Sequence, residues 1–187
     1  MCAYRERGLP SLRRGRISIP HARYFITLCC EPRKPVLHSP STANTVLDSF
    51  RRLHRDGDVE FHCGTVMPDH IHFLFTLRDR ILLSQVIAKF KYLTKNVILG
   101  DDVAWQENFF DHRVRVDVGL ENFARYIFLN PYVSGLIGAE ESWPRWVIHR
   151  EYRPEFLLLL REGKYPQSEW IELSSGVSEL IREDISD

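Results

Sequence analysis

Two histidines one residue apart, His70 and His72, are the residues whose type and spacing indicate chemistry most directly. They lie in an apolar stretch, residues 66–77, that predicts a strand. Successive strand side chains point to opposite faces at about 3.3 Å per residue, so both imidazoles share one face roughly 6–7 Å apart. The side chain of Asp69 is expected to point away from the two histidines and to stabilise a turn. The pair could hold one metal ion, or it could be two solvated or hydrogen-bonded histidines that bind nothing.

A third ligand could come from a helix predicted over residues 120–130. Tyr126 and Asn130 are four residues apart, so a phenol and a carboxamide share one helix face. This face could carry a nucleophile and a metal ligand together. The alternatives are that Tyr126 only packs and that Asn130 caps the end of the helix before Pro131, which is expected to end it or to start a new turn. Tyr132 is a rival nucleophile, but it lies beyond the proline.

The elements that would position these residues predict an α+β fold. Apolar periodicity predicts an antiparallel sheet with helices on one side. Ser41 or Thr42 is expected to open the first helix. The predicted elements are strand 24–30, helix 41–56, strand 58–67, strand 70–77, helix 84–98, strand 113–118 and helix 120–130.

Length and composition fit a single compact domain. The chain has 187 residues, of which 44% are hydrophobic and 27% charged, enough for one substantial core. The longest late apolar run, residues 156–160, is far shorter than the ~20 residues of a membrane-spanning helix. No signal peptide opens the chain, so a cytoplasmic protein without a membrane partner is expected. The four cysteines show no metal-ligand spacing and fit reduced thiols.

Charge is distributed unevenly along a chain whose formal net charge is zero. Residues 1–138 carry 19 Lys and Arg against 14 Asp and Glu, whereas residues 139–187 carry 6 against 11. A basic part of this kind is typical of phosphate binding. Three segments are therefore predicted, namely a basic N-terminal arm (1–20), a core domain (21–138) and an acidic C-terminal extension (139–187).

Several basic side chains are candidates for contacts with nucleic acid. Those of the arm could bind phosphate or enter a minor groove, or the arm could be solvated. Those of helix 84–98 could bind phosphate or simply face solvent. The candidates are Arg13, Arg14, Arg16, Arg23, Lys89, Lys91, Lys95, Arg113 and Arg115.

Several separated segments together resemble the REP-associated tyrosine transposases. This family belongs to the single-tyrosine HUH endonucleases and is related to the insertion-sequence-200-like transposases. The resemblance spans roughly residues 20 to 140, and its segments keep the family's order and spacing. The segments are Tyr24-Phe25-Ile26-Thr27-Leu28, Val66-Met67-Pro68-Asp69-His70-Ile71-His72, Trp105-Gln106, Phe109-Phe110-Asp111-His112, and Arg125-Tyr126 through Leu129-Asn130-Pro131 to Leu136. For His112, core packing, DNA contact and catalysis are all open.

The resemblance implies a ferredoxin-like, RRM-like palm with the HUH motif on a central strand, and it makes residues 21–138 an HUH endonuclease domain. It also implies that His70, His72 and Asn130 bind a divalent metal, Mg²⁺ or Mn²⁺, and that Tyr126 is the nucleophile. The expected activity is cleavage and strand transfer of single-stranded or hairpin DNA at hairpin-forming repeats through a 5′-phosphotyrosine. The alternative is a domesticated DNA-binding protein with little or no cleavage activity. Monomer and homodimer are both open.

Overall fold

A central antiparallel sheet of six strands organises the molecule, here a computed structural model that describes residues 17–98, 102–115, 119–174 and 176–186. The sheet runs in the order β4-β1-β3-β2-β6, and β5 also pairs with β1. The strands are β1 (Arg23–Glu31), β2 (Val59–Val66), β3 (His70–Leu77), β4 (Ala104–Trp105), β5 (Phe110–Val114) and β6 (Trp146–Ile148). The predicted α+β class with its antiparallel sheet and the HUH strand at the centre is confirmed.

Five α-helices flank this sheet in the described part of the chain. They are α1 (Pro40–Arg55), α2 (Leu83–Ile98), α3 (Gly119–Val133), α4 (Ser168–Glu172) and α5 (Val177–Ser186). Short 3₁₀ turns lie at Val36–His38 and Glu155–Leu159. None of the helices in the described residues is long and apolar enough to cross a membrane.

The two faces of the sheet carry separate cores. Alternate β1 residues such as Ile26 join the first core, which includes Phe50 of α1 and Phe90 of α2. Phe25 points to the other face and packs with Phe123 of α3. The expectation of helices on one face therefore holds for α1 and α2 only, because α3 covers the opposite face. This opposite face is also the one that carries the two histidines.

The ends of two helices differ from the sequence predictions. Helix α1 begins earlier than expected, because the side chain of Ser39 accepts a hydrogen bond from the backbone N–H of Thr42 and caps the helix. Helix α3 does not end before Pro131 but continues to Val133. A proline this close to a helix end removes only one backbone hydrogen bond. Gly135, with φ of +67°, follows the helix.

Further findings concern the predicted strand 113–118 and the two terminal segments. The strand predicted over 113–118 is found at Phe110–Val114, and residues 116–118 lie outside the described ranges. The acidic extension contributes a strand to the sheet, because β6 pairs antiparallel with Cys63–Thr65 of β2. The basic arm falls almost wholly on residues 1–16, which lie outside the described ranges.

Candidate active site

Strand β3 presents His70 and His72 on the face that α3 covers. Their ring centroids are 4.8 Å apart, and only 7% of His70 and 1% of His72 are exposed. The pairing of β3 with β1 places Thr27 opposite His72 and Cys29 opposite His70. The predicted shared orientation of the imidazoles is therefore present, and both rings are buried.

Each imidazole is held through its Nδ1 atom. Nδ1 of His70 lies 2.6 Å from Oδ1 of Asp69, and Nδ1 of His72 lies 2.8 Å from the hydroxyl of Thr27. The expectation that Asp69 points away from the pair is wrong. Asp69 precedes the strand, so the alternation of strand side chains does not determine its direction. Hydrogen bonds at Nδ1 leave Nε2 as the ligating nitrogen of both rings.

Burial sets the charge of the pair. It lowers the pKa of His70, although the hydrogen bond to Asp69 opposes this shift. Burial, followed by the neighbouring His70, lowers the pKa of His72 well below its usual range. Neutral imidazoles are the form that binds a metal ion, so the site is prepared for ligation at neutral pH.

A chain of polar contacts extends from His70 to the protein surface. Burial raises the pKa of Asp69, but its hydrogen bonds with His70 and the charge of Arg33 outweigh this effect and lower the pKa. Nε of Arg33 lies 2.6 Å from Oδ2 of Asp69, and its Nη1 lies 2.5 Å from Sγ of Cys29. Sequence reasoning missed Thr27, Asp69 and Arg33 as site residues. The place of Thr27 beside His72 depends on the pairing of β1 with β3, which was not predicted from the sequence.

Helix α3 brings Tyr126 and Asn130 onto the same site. Nδ2 of Asn130 lies 3.3 Å from Nε2 of His72. The Tyr126 ring is 5.5 Å from the His72 ring and 5.8 Å, edge to face, from that of Phe25. Tyr126 is half-buried, so it packs in the site and stays partly accessible. The structure thus collects the four residues predicted from the sequence.

The donor set fits a divalent metal with a carboxamide as the third protein ligand. No group of three or more His, Cys, Asp or Glu able to hold a metal occurs within the described ranges. His70 and His72 could contribute nitrogens, and rotation of the Asn130 amide would offer its oxygen to the same point. A set of two imidazoles and one carboxamide leaves positions open for substrate oxygens.

The two other residues considered for chemistry have structural partners. Only 4% of Tyr132 is exposed, and its hydroxyl donates a hydrogen bond to the backbone oxygen of Glu141. Nε2 of His112 lies 2.7 Å from Oδ2 of Asp184, and the His112 ring stacks on Phe123. Tyr132 therefore packs away from the histidines, and His112 holds α5 against β5 and α3.

The lysines of α2 predicted to contact DNA lie in different surroundings. Lys89 is paired with Asp56 and Asp58 at 2.7 and 2.5 Å. The ammonium group of Lys91 donates to the backbone oxygens of residues 106 and 107. Lys95 lies 4.7 Å from the ring of Tyr92. The pairing of Lys89 gives it a structural role that competes with the predicted phosphate contact.

The predicted arginines are only partly described. Arg113 and Arg115 are exposed around the end of β5, and Arg23 is half-buried at the start of β1. Arg23 and Arg113 lie on neighbouring strands, because Tyr24 is the register partner of Arg113. Arg13, Arg14 and Arg16 lie outside the described residues. Part of the predicted basic surface is thus gathered at one end of β1 and β5.

Known proteins share the sequence family and the architecture of this chain. Residues 18–128, more than half of the chain, match the family model described as Transposase IS200 like. The REP-associated tyrosine transposase of Escherichia coli (strain K12) is 24% identical over 102 residues, which are 54% of this chain and 61% of that protein. The present chain therefore covers less than two thirds of that relative.

A solved structure of a REP-associated tyrosine transposase bound to a REP hairpin has the same fold. It superposes with a TM-score of 0.61 at 23% identity, covering 72% of this chain and 81% of that one. The region matched by the family model includes His70, His72 and Tyr126. The resemblance predicted from the sequence is confirmed, and the chain belongs to the IS200-like transposase family.

Proposed function

We propose that this protein is a metal-dependent endonuclease and strand transferase that acts on single-stranded DNA at hairpin-forming repeats. The observation that carries the proposal is the position of Tyr126, whose ring lies 5.5 Å from that of His72, on the same helix face as Asn130. A tyrosine next to a pair of neutral imidazoles suits phosphodiester chemistry. The REP hairpin bound to the structural relative supports hairpin DNA as the substrate class.

His70, His72 and Asn130 would hold the divalent ion, Mg²⁺ or Mn²⁺. When bound, such an ion supplies Lewis-acid stabilisation of the charge that develops on the scissile phosphate. The Asp69 carboxylate, which accepts a hydrogen bond from His70, and the Thr27 hydroxyl, which is hydrogen-bonded to His72, orient the two imidazoles before any ligand arrives. Burial of both rings keeps the two imidazoles in fixed, neutral form beside the half-exposed Tyr126.

Tyr126 would attack the phosphorus with its phenol oxygen. The new bond joins this oxygen to phosphorus, the bond from phosphorus to the 3′ oxygen breaks, and the phenol proton passes to solvent. The freed 3′-hydroxyl takes up a proton, and the 5′ phosphate remains attached to Tyr126. Attack by another 3′-hydroxyl would reverse these steps on a different strand, without a nucleotide cofactor.

The test uses end-labelled single-stranded hairpins from palindromic repeats flanking the gene. Wild type, Tyr126→Phe and Tyr132→Phe are incubated with Mn²⁺, with Mg²⁺ or with chelator and separated on denaturing gels. We expect a denaturant-resistant protein–DNA adduct from wild type and Tyr132→Phe, and none from Tyr126→Phe or with chelator. If wild type binds the hairpin but gives neither an adduct nor a cut strand, the result would favour a domesticated DNA-binding protein. The formal net charge of zero also supports this alternative.

A further inference from the structure

A pocket of about 320 Å³ lies between α3 and the C-terminal helices α4 and α5. Leu129 and Leu180, both buried, contribute apolar lining. The side chains that could recognise a ligand are Asn122, Arg125 and Tyr126 from α3, Glu169 and Trp170 from α4, and Glu183 from α5. Its volume is at the small end of the usual range for ligand sites, roughly 300–1,000 Å³, and suits one small planar group.

The pocket adjoins the candidate nucleophile. Tyr126 lines it, and the same ring lies 5.5 Å from His72. A ligand in the pocket would therefore lie beside a phosphate placed at His70 and His72. For a DNA strand bound through that phosphate, a neighbouring nucleotide is the part that can reach the pocket.

The lining is suited to a flat, uncharged ring. Trp170 is half-buried, with Phe156 at 6.4 Å edge to face and the guanidinium of Arg125 at 5.9 Å from its ring centre. An indole held in this way can stack on a nucleobase, as aromatic side chains do in single-strand binding proteins.

Charge distinguishes a base from a backbone phosphate in this pocket. Two carboxylates, Glu169 and Glu183, face one guanidinium, Arg125, so the lining carries a net negative charge that repels phosphate. No described residue makes a hydrogen bond or ion pair with the carboxylates of Glu169 and Glu183. Carboxylates accept hydrogen bonds from amino groups, and an amide such as Asn122 can pair with adenine.

We propose that this pocket binds an unpaired nucleobase next to the scissile phosphate and prefers a base with an exocyclic amino group, such as cytosine or adenine, over thymine, which has none. Trp170 supplies the stacking surface, and Glu169 and Glu183 accept hydrogen bonds from the amino group. The C-terminal extension thereby contributes to substrate recognition. This inference rests on the proposed DNA-processing function.

The test measures binding by full-length Tyr126→Phe, so that it does not depend on cleavage. The probe is a hairpin with an unpaired foot in which each unpaired nucleotide in turn is made abasic. We expect one abasic position to weaken binding about 10-fold or more. Adding Trp170→Ala should remove this position dependence, whereas Trp170→Phe, which keeps a stacking ring, should retain most of it.

A second series tests the base preference with exposed residues whose substitution does not threaten the fold. Cytosine, adenine and thymine are compared at the sensitive position. We expect Glu169→Gln and Glu183→Gln together to reduce the preference for cytosine and adenine severalfold, while Glu172→Gln, on the same helix outside the pocket lining, leaves it unchanged. Circular dichroism confirms that each variant is folded.

The outcomes separate this inference from the proposed function. Hairpin binding that is insensitive to every abasic position, or that Trp170→Ala strengthens, would overturn the base pocket and leave the proposed function standing. The second of these results would mean that the C-terminal helices exclude DNA. Absence of binding to any hairpin would overturn the proposed function and the pocket with it.

Discussion

Oδ1 of Asp69 lies 2.6 Å from Nδ1 of His70, while its other oxygen is held at the same distance by Nε of Arg33. The carboxylate therefore fixes the orientation of the imidazole and the nitrogen that carries its proton. The side chain of Asp69 is partly exposed, whereas that of His70 is buried. The orientation of a buried ligand is thus controlled from the edge of the site.

Replacing Asp69 tests this control directly. We expect Asp69→Ala to weaken Mn²⁺ binding about 10- to 100-fold, since it removes the hydrogen bond that orients His70, a proposed metal ligand. Asp69→Asn, which keeps an acceptor oxygen, should weaken binding less. Isothermal titration calorimetry at pH 7 measures the dissociation constants, with the exposed Asp48→Ala as a control. Equal affinities for wild type and Asp69→Ala would contradict the proposed role.

A third buried imidazole, that of His62, makes stability depend on pH. Burial lowers the pKa of His62 to about 4, and the ring is paired with the hydroxyl of Thr76. Below pH 6.5 the unfolded chain takes up a proton at this position, whereas the folded protein does so only near pH 4. The contribution of neutral His62 to the free energy of unfolding is therefore fully present above pH 6.5. It is lost as the pH falls towards 4, and its size is at most about 3 kcal/mol.

Urea denaturation of wild type and His62→Gln at pH 7.5 and pH 4.5 checks this expectation. The difference in unfolding free energy between the two pH values should be smaller in His62→Gln. The exposed His38→Gln should behave like wild type. A pH dependence that His62→Gln leaves unchanged would mean that other groups account for the loss.

The buried carboxylate of Asp184 is expected to anchor helix α5. It accepts hydrogen bonds from His112 and from the backbone N–H of Arg115, at 2.7 and 3.2 Å. Asp184→Ala leaves these donors without a partner and should lower the unfolding free energy by about 1–3 kcal/mol. Glu179→Gln, on the exposed side of α5, should change it by less than about 0.5 kcal/mol. Thermal denaturation measures both.

Gly119→Ala gives an independent test of the same junction. A Cβ at this position would collide with the carboxylate of Asp184 and with Val114. We expect it to destabilise the protein even though alanine is a better helix former than glycine. Its effect should be smaller in an Asp184→Ala background, because one of the two obstacles is then gone. Additive effects in a double-mutant cycle would argue against the contact.

Two lysines of α2 should separate stability from DNA binding. Lys89 is paired with two carboxylates, one of which, Asp58, is only 5% exposed. Lys89→Ala should therefore lower the unfolding free energy by about 1–2 kcal/mol. Lys95→Ala should leave stability nearly unchanged and reduce the salt dependence of hairpin binding by about one unit of slope. A salt slope altered by Lys89→Ala and not by Lys95→Ala would reverse these assignments.

The sequence predicted the parts of the site that depend on local periodicity. Strand alternation placed His70 and His72 on one face, and helical spacing placed Tyr126 above Asn130, because both patterns depend only on neighbouring residues. The contact of Thr27 with His72 was missed, since it depends on the register between two distant strands. Such long-range pairing leaves no short-range signal in a single sequence.

Other differences arise where tertiary packing outweighs local rules. Pro131 was expected to end α3 or to start a new turn, but the packed helix continues for two residues beyond it. The pairing of Lys89 with Asp56 and Asp58 joins α2 to the turn after α1, which an amphipathic pattern does not predict. Strand β6 has only three residues, too few to show alternation.

Strand β6 also affects how the domain can be shortened. The boundary predicted at residue 138 would remove Trp146–Ile148 and leave the outer backbone groups of Cys63–Thr65 in β2 without partners. An uncovered strand of this kind is a template for self-association. Expression of residues 21–138 alone should therefore give aggregates, and a minimal fragment suited to crystallisation or labelling should retain the chain at least through Ile148.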